Sequence, residues 1–470
     1  MTEVQQLARF VSAARFEDLS HDAREQLKIR VLDSLGCAIG ALSGEPIALL
    51  REQLREFGGA RLCRLIGGGW SAPDRAAFYN GALVRYLDFN DSYLAKGETC
   101  HPSDNLGAVL AACDHAQRHG RDLLVALAVA YQVQCRLSDV APVRHKGFDH
   151  VTQGAYAAAA GVARALGLDA ERTAHAIAIA GTALNALRVT RTGALSHWKG
   201  LAYPNTAFGA THVTYLAARG ITGPLEVFEG NKGFKEAIAG PFTIDWNAED
   251  LERVRRTILK KYNAEIHSQS AIEGALELQR EHGFRGDQVA RVEIRIFDVA
   301  YHIIGGGDEG DKTRVRTKEE ADHSLPYMVA VALLDGQVMP EQYHPERIAR
   351  EDVQSLLRRV VVRPDAGFSR RFPDEMPCHV TVQLADGRVL QVEKRDYEGF
   401  HTRPMPWNRV VEKFQRLAGN ALSSGLQQRL IECVQTLEQR PVRDLTALLA
   451  RCRVPENPKR RSHGQESQRG

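Results

Sequence analysis

The chain has 470 residues, of which 44% are hydrophobic, 25% charged and 7% aromatic, the balance of a soluble globular protein with room for two or three domains and a sizeable core. Its formal net charge is +3, with lysine and arginine spread along the chain, which leaves no basic face for nucleic acid and confines any cationic site to a local cluster. The start, Met1-Thr2-Glu3-Val4-Gln5-Gln6, has no basic region ahead of an apolar core, and no stretch approaches the roughly 18 uninterrupted apolar residues of a membrane span; a cytoplasmic protein without membrane or nucleic-acid partners is expected.

The first long helix is predicted from Ser20-His21-Asp22-Ala23, an N-cap with an acidic first turn, followed by Leu27, Val31, Leu32, Leu35 and Ile39 at helical spacing. Helical pattern continues to about residue 270, with alanine-dense stretches at 155–165 and 174–186 that allow helices to approach closely. Near residue 290 the period changes to two: Val292-Glu293-Ile294-Arg295-Ile296 alternates as a half-exposed strand does. His379-Val380-Thr381-Val382-Gln383-Leu384 and Val389-Leu390-Gln391-Val392 flank Asp386-Gly387, a strong hairpin-turn signal. Helical spacing resumes at Val410, Val411, Phe414 and Leu417, then at Leu430, Val434 and Leu437.

The expected fold class is therefore mainly α with an inserted α+β lid. Residues 1–269 and 403–454 build one large helical domain from both chain ends, 270–402 form the smaller α+β domain with a helix over 327–334, and 455–470 are a disordered polar tail.

The eight cysteines, Cys37, Cys63, Cys100, Cys113, Cys135, Cys378, Cys433 and Cys452, include no C-x-x-C pair. Reduced, packed thiols are expected, and the spacing argues against an iron–sulfur cluster. His115 and His119 stand four apart, but Ala116 occupies the place of the glutamate in H-E-x-x-H. That pair is read as a solvated helix face, and no metal is expected.

Five segments concentrate polar chemistry. Asp88-Phe89-Asn90-Asp91 and His101-Pro102-Ser103-Asp104-Asn105 precede an apolar helix, and either cap it or form a catalytic loop. His150, after Gly147-Phe148-Asp149, opens the alanine-rich helix, where free N–H groups favour anions; the alternative is a surface histidine. His197-Trp198-Lys199-Gly200 reads as a loop offering an ammonium to a carboxylate, unless the lysine is merely solvated. Lys260 through Gln269 lies at the expected domain junction, where clefts form, and Asp322-His323-Ser324-Leu325-Pro326-Tyr327 introduces the lid helix.

Taken together and in order, Leu87-Asp88-Phe89-Asn90-Asp91, His101 through Gly107, Gly147-Phe148-Asp149-His150, Trp198-Lys199-Gly200, Ala264-Glu265-Ile266-His267-Ser268-Gln269 and His323-Ser324-Leu325-Pro326-Tyr327 resemble the 2-methylcitrate dehydratase family, also called MmgE/PrpD. The resemblance covers about residues 5–450. It implies a cofactor-independent homodimeric lyase whose ligand is a small tricarboxylate. His101, His150, Asp91, Lys199 and Tyr327 would be catalytic, and Lys260, His267, Gln269 and His323 would bind substrate. Glu265 stands where decarboxylase members of the family carry histidine, which favours dehydration; Ser92 and Tyr93 replace an expected Thr and Trp.

Dehydrating a β-hydroxy acid needs a base and an acid facing each other across the substrate. His101 or His150 is expected as base, the other or Tyr327 as acid, Asp91 as the group that orients a ring, and Lys199 and Lys260 as carboxylate holders. Two further readings keep the same pocket. One is decarboxylation of cis-aconitate or epimerisation of a small polycarboxylate; the other is a catalytically silent, tricarboxylate-binding dimer.

Overall fold

Ser20 caps the first long helix as its spacing predicts: the hydroxyl accepts from the Ala23 N–H at 3.1 Å, and the helix runs His21–Gly40. In the computed structural model, which describes residues 1–453 apart from 194, 309 and 420, this helix is buried on most of its circumference rather than on one face. The cause is Trp407–Ala418, from the far end of the chain, which lies along it. At the crossing, a Cβ on Gly36 would sit 3.2 Å from Phe414 Cα, so the two backbones meet there because residue 36 has no side chain. The expected tail, 455–470, lies outside the described residues.

The alanine-rich stretches fold as Val151–Leu166 and Ala170–Ala183, and the first is buried almost throughout. Helices Pro73–Tyr86 and Leu106–His115 touch through glycines. A Cβ on Gly107 would lie 2.5 Å from Gly81 N, and this contact brings the end of one helix, near Asp88, beside the start of the other, near His101. The helix Gly120–Val140 is long and apolar enough to cross a membrane by length and composition, but it is mostly buried inside the protein. These helices share one apolar core with Trp407–Ala418, Ser424–Gln435 and Val442–Leu449.

A second apolar core draws mainly on residues 258–400. Its sheet has Val289–Ile296 in the middle, with Val360–Pro364 parallel on one side and Cys378–Leu384 antiparallel on the other. Val389–Lys394 completes the hairpin, and Gly387 takes φ 90° in the turn. Val292, Ile294 and Ile296 point inward with Val380 and Val382, as period-two alternation requires. Helix Gln269–His282 covers the two antiparallel strands, and Leu325–Asp335, longer than the predicted 327–334, packs on that helix.

The region before residue 270 is not purely helical. Tyr93–Ala95 and Glu98–Cys100 form a short antiparallel hairpin. His115 and His119 do not share a helix: the first ends Leu106–His115 and the second caps Gly120–Val140. His115 is half-buried, with Nδ1 2.7 Å from the Tyr215 hydroxyl, so it is a packed histidine rather than part of a solvated face.

Candidate active site

The short hairpin delivers His101 directly after Cys100, into a turn over Pro102–Asn105. His101 Nδ1 lies 2.8 Å from the Asp91 carbonyl oxygen and 3.0 Å from Ser92 Oγ. A carbonyl only accepts, so Nδ1 carries the hydrogen and Nε2 keeps its lone pair. Burial, together with the charges of Arg85 and Lys260, holds this imidazole well below its ordinary pKa, and it is neutral at pH 7.

The Asp91 carboxylate does not orient that ring. Oδ1 accepts from the Ser103 N–H at 3.0 Å and hydroxyl at 2.6 Å, and Oδ2 accepts from the Tyr131 hydroxyl at 2.7 Å. Its main-chain carbonyl selects the tautomer, while its side chain anchors the loop.

His150 stands at the N-cap of Val151–Leu166, and its Nδ1 lies 2.8 Å from Asp149 Oδ1. Burial would raise the Asp149 carboxyl, but Arg191, with Nε 2.6 Å from Oδ2, and His150 outweigh it and keep it ionised. Burial lowers His150 to about 4 even against the pull of Asp149. His267 repeats the pattern: its Nδ1 lies 2.7 Å from Glu265 Oε1. Burial opposes ionisation of Glu265, yet His267 beside it brings that carboxyl to about 2. In both pairs Nδ1–H donates to a carboxylate; His150, kept neutral by burial, has Nε2 left as an acceptor. The His101 and His150 rings meet edge-on, with centroids 5.5 Å apart.

Asp88, just past helix Pro73–Tyr86, adopts φ 54°, a left-handed conformation that aspartate tolerates better than most residues. Its carboxylate collects three cations: Arg85 Nη1 at 2.5 Å, Lys260 Nζ at 2.6 Å and Lys199 Nζ at 3.4 Å. They hold it well below its usual pKa in spite of burial.

Lys199 lies in the first turn of helix Trp198–Ala218, not in a loop; Gly200 is accommodated within that turn. Its ammonium sits 2.7 Å from Asp322 Oδ1 and 2.8 Å from His323 Nδ1. Asp322, His323 and Asp88 place ligand atoms within 4.8 Å of one another, a grouping that could hold a metal ion. Here the three donors surround an ammonium. Burial lowers the Lys199 pKa although Asp322 and Asp88 pull it up, and burial with Lys199 lowers His323.

These groups converge on a cavity of about 450 Å³. Of the expected residues, His101, His150, Lys260, His267 and His323 line it, and Lys199 stands directly behind His323. Three do not reach it: Asp91, whose carboxylate is held by Ser103 and Tyr131, and Tyr327 and Gln269. Tyr327 donates its phenol to the Gln342 carbonyl inside the second core, because its place on the buried side of Leu325–Asp335 turns it away. Gln269 braces the preceding loop, accepting from the Lys261 and Tyr262 N–H groups at 3.0 Å each, and so steadies Lys260 without facing the cavity.

Sequence reasoning missed the arginines. Arg85, Arg144, Arg188 and Arg191 join Lys260 on the cavity wall, against the carboxylates Asp88 and Glu265. The signal for Arg85 was a charged side chain among Tyr79, Leu83 and Val84 on a buried helix. Arg191 Nη2, His150 Nε2 and His267 Nε2 are buried without a hydrogen-bond partner. Each such atom costs about 1–3 kcal/mol unless something bonds it, and an anion with several carboxylates has acceptor oxygens for the guanidinium and a hydroxyl for an imidazole.

The cavity thus gathers cationic side chains and buried imidazoles around one space. Residues 5–247 match the MmgE/PrpD N-terminal domain and residues 262–439 the MmgE/PrpD C-terminal domain; the chain belongs to the MmgE/PrpD family. It is 30% identical over 433 residues to an alkylcitrate dehydratase of a fungal species, covering 83% of each chain. It is 29% identical over 434 residues to the 2-methylcitrate dehydratase of Cupriavidus necator, covering 85% of this chain and 87% of that one. The 2-methylcitrate dehydratase of Salmonella typhimurium is 28% identical over 401 residues, 79% and 81% of the two chains.

Proposed function

We propose that the chain dehydrates 2-methylcitrate, or a closely related citrate-like tricarboxylate, to 2-methyl-cis-aconitate by general acid–base catalysis without a metal. Its relatives are dehydratases, and it is, like them, a carbon–oxygen lyase. The observation that carries the substrate class is the cavity wall: four arginines and a lysine around imidazoles, of which His150 and His267 have buried Nε2 atoms without partners.

Elimination takes a proton from carbon beside a carboxylate and returns one to the departing hydroxide. His150 is the base. Its Nε2 lone pair takes the proton, and the imidazolium that forms is stabilised by ionised Asp149 at 2.8 Å. His101 presents a second lone pair beside it. An imidazolium there would have a carbonyl and a hydroxyl at Nδ1, and Arg85 and Lys260 oppose it more than Asp88 favours it. His323 is the acid. Its Nδ1 lies 2.8 Å from both the Lys199 ammonium and Asp322 Oδ1; in the tautomer where Lys199 donates to Nδ1 the ring hydrogen is on Nε2, that proton leaves with hydroxide as water, and Nδ1 takes one from the Lys199 ammonium. Arg85, Arg191 and Lys260 hold carboxylates and stabilise the charge that grows as the C–H bond breaks. The positive charge that a metal would bring to the Asp88, Asp322 and His323 group is supplied by Lys199.

Lys199→Ala is expected to lower kcat/KM at least about a hundredfold, followed by absorbance of the new conjugated double bond. Adding His323→Ala costs little more, because the two act as one relay. Full additivity rejects the relay. The acid limb of kcat/KM, corrected for the substrate's own carboxyl titration, is expected near pH 4 to 5, because His150 must be unprotonated and titrates at about 4 in the free enzyme. A limb at 6.5 or above removes His150 as base.

The direct test incubates metal-stripped protein with 2-methylcitrate, citrate, cis-aconitate and iminodisuccinate, with products read by mass spectrometry. Loss of water from a citrate is the expected result. Release of carbon dioxide from cis-aconitate, a change in optical rotation alone, or thermal stabilisation without turnover would each assign a different activity. The proposal includes a homodimer: Leu187, Val189 and Trp198, interleaved with Arg188, Arg191 and Lys199, are 60%, 70% and 47% exposed in the single chain, and such grouped apolar exposure suits a subunit contact.

A further inference from the structure

The polyanion cavity does not end at its arginines. Thr99, Arg144 and Ile303 line it and also line a second, adjoining cavity of about 640 Å³. The far walls of that second space include Ala95, Val299 and Phe372. Of its polar groups, the Glu98 carboxylate accepts from the Val143 N–H at 3.1 Å and the Arg144 N–H at 3.2 Å, and His302 Nδ1 faces Asp308 at 3.3 Å, both side chains open to solvent. Phe372 is held by stacking on Phe297, with centroids 4.3 Å apart and planes 11° apart. The same ring lies 5.7 Å from that of His267, so this apolar wall begins where the imidazoles end.

A fourth carboxylate there would meet Glu98 and Asp308 rather than arginines alone. We infer that the second cavity is a subsite for an alkyl arm, so that the preferred substrates are 2-alkylcitrates with a chain longer than methyl. This rests on the first cavity being the dehydratase site. Each methylene transferred from water to an apolar wall favours the bound state by about fourfold, and that gain appears in kcat/KM as long as the arm stays within the subsite.

The test is a series of 2-methyl-, 2-ethyl-, 2-propyl- and 2-butylcitrate with the purified full-length protein. kcat/KM is expected to rise about fourfold per added carbon. Val299→Trp, which fills the second cavity, and Val299→Asp, which charges it, are each expected to lower kcat/KM for 2-butylcitrate at least tenfold while leaving 2-methylcitrate within about twofold. A flat or falling series, or a Val299→Trp that affects both substrates equally, overturns the subsite and leaves the dehydratase reading standing. Turnover of no citrate at all overturns both.

Discussion

Replacing His150 with alanine is expected to lower kcat/KM for 2-methylcitrate by between about a hundredfold and ten-thousandfold, the range that a positioned general base contributes. The expectation is that large because three features act on one nitrogen. Nδ1 is committed to Asp149 at 2.8 Å, Asp149 is kept ionised by Arg191, and Nε2 is buried without a partner on the cavity wall. Asp149→Asn separates these effects. An amide that offers its NH₂ to Nδ1 moves the ring hydrogen to Nε2, and at least a tenfold loss of kcat is expected with KM little changed. Circular dichroism and thermal melting check that both variants fold. Should His150→Ala keep more than a tenth of the wild-type rate, the base is not His150, and His101, the other neutral imidazole, takes its place; His101→Ala is expected to cost at least about a hundredfold in either event.

Asp88→Asn carries the second large effect, on stability as well as rate. The substitution keeps the size of the side chain and a residue that accepts the 54° φ, so it removes little except charge. Arg85, Lys260 and Lys199 are then left buried around a neutral amide, and breaking a buried pair by deleting one partner costs about 3–5 kcal/mol. The expected result is a fall of that size in unfolding free energy by urea titration with an unchanged m-value. Saturating tricarboxylate should restore part of the loss, since its carboxylates supply the missing negative charge. A loss below about 1 kcal/mol would mean that the three cations do not depend on Asp88.

Much of the scaffold was legible because its signals are local. Ser20 marked a helix start through a bond made within three residues, and Asp386-Gly387 marked a turn that needs a positive φ. Strand Val360–Pro364 was not legible. It pairs in parallel with Val289–Ile296, and a short run of valines entered from Arg358-Arg359, without Gly, Asn or Pro ahead of it, reads equally as buried helix. The site divides in the same way. His101 and His150 stood out beside helix starts, whereas the knot at Asp88 joins residues 172 positions apart and the relay at Lys199 joins residues 124 apart. No periodicity records such pairs. Tyr327 and Gln269 were misjudged for the complementary reason: a motif fixes which residue is present, but the side of the helix that it occupies is decided by packing.

Lys199 belongs to a helix of the first apolar core, whereas Asp322 and His323 precede a helix of the second. Were the two cores to part, this amine would return to water and to the basicity of any dissolved lysine, and His323 would lose the neighbour that sets its tautomer. On the proposed mechanism, proton-donating power at His323 would therefore exist only while the halves are apposed, and an enzyme with its cores parted would be chemically idle.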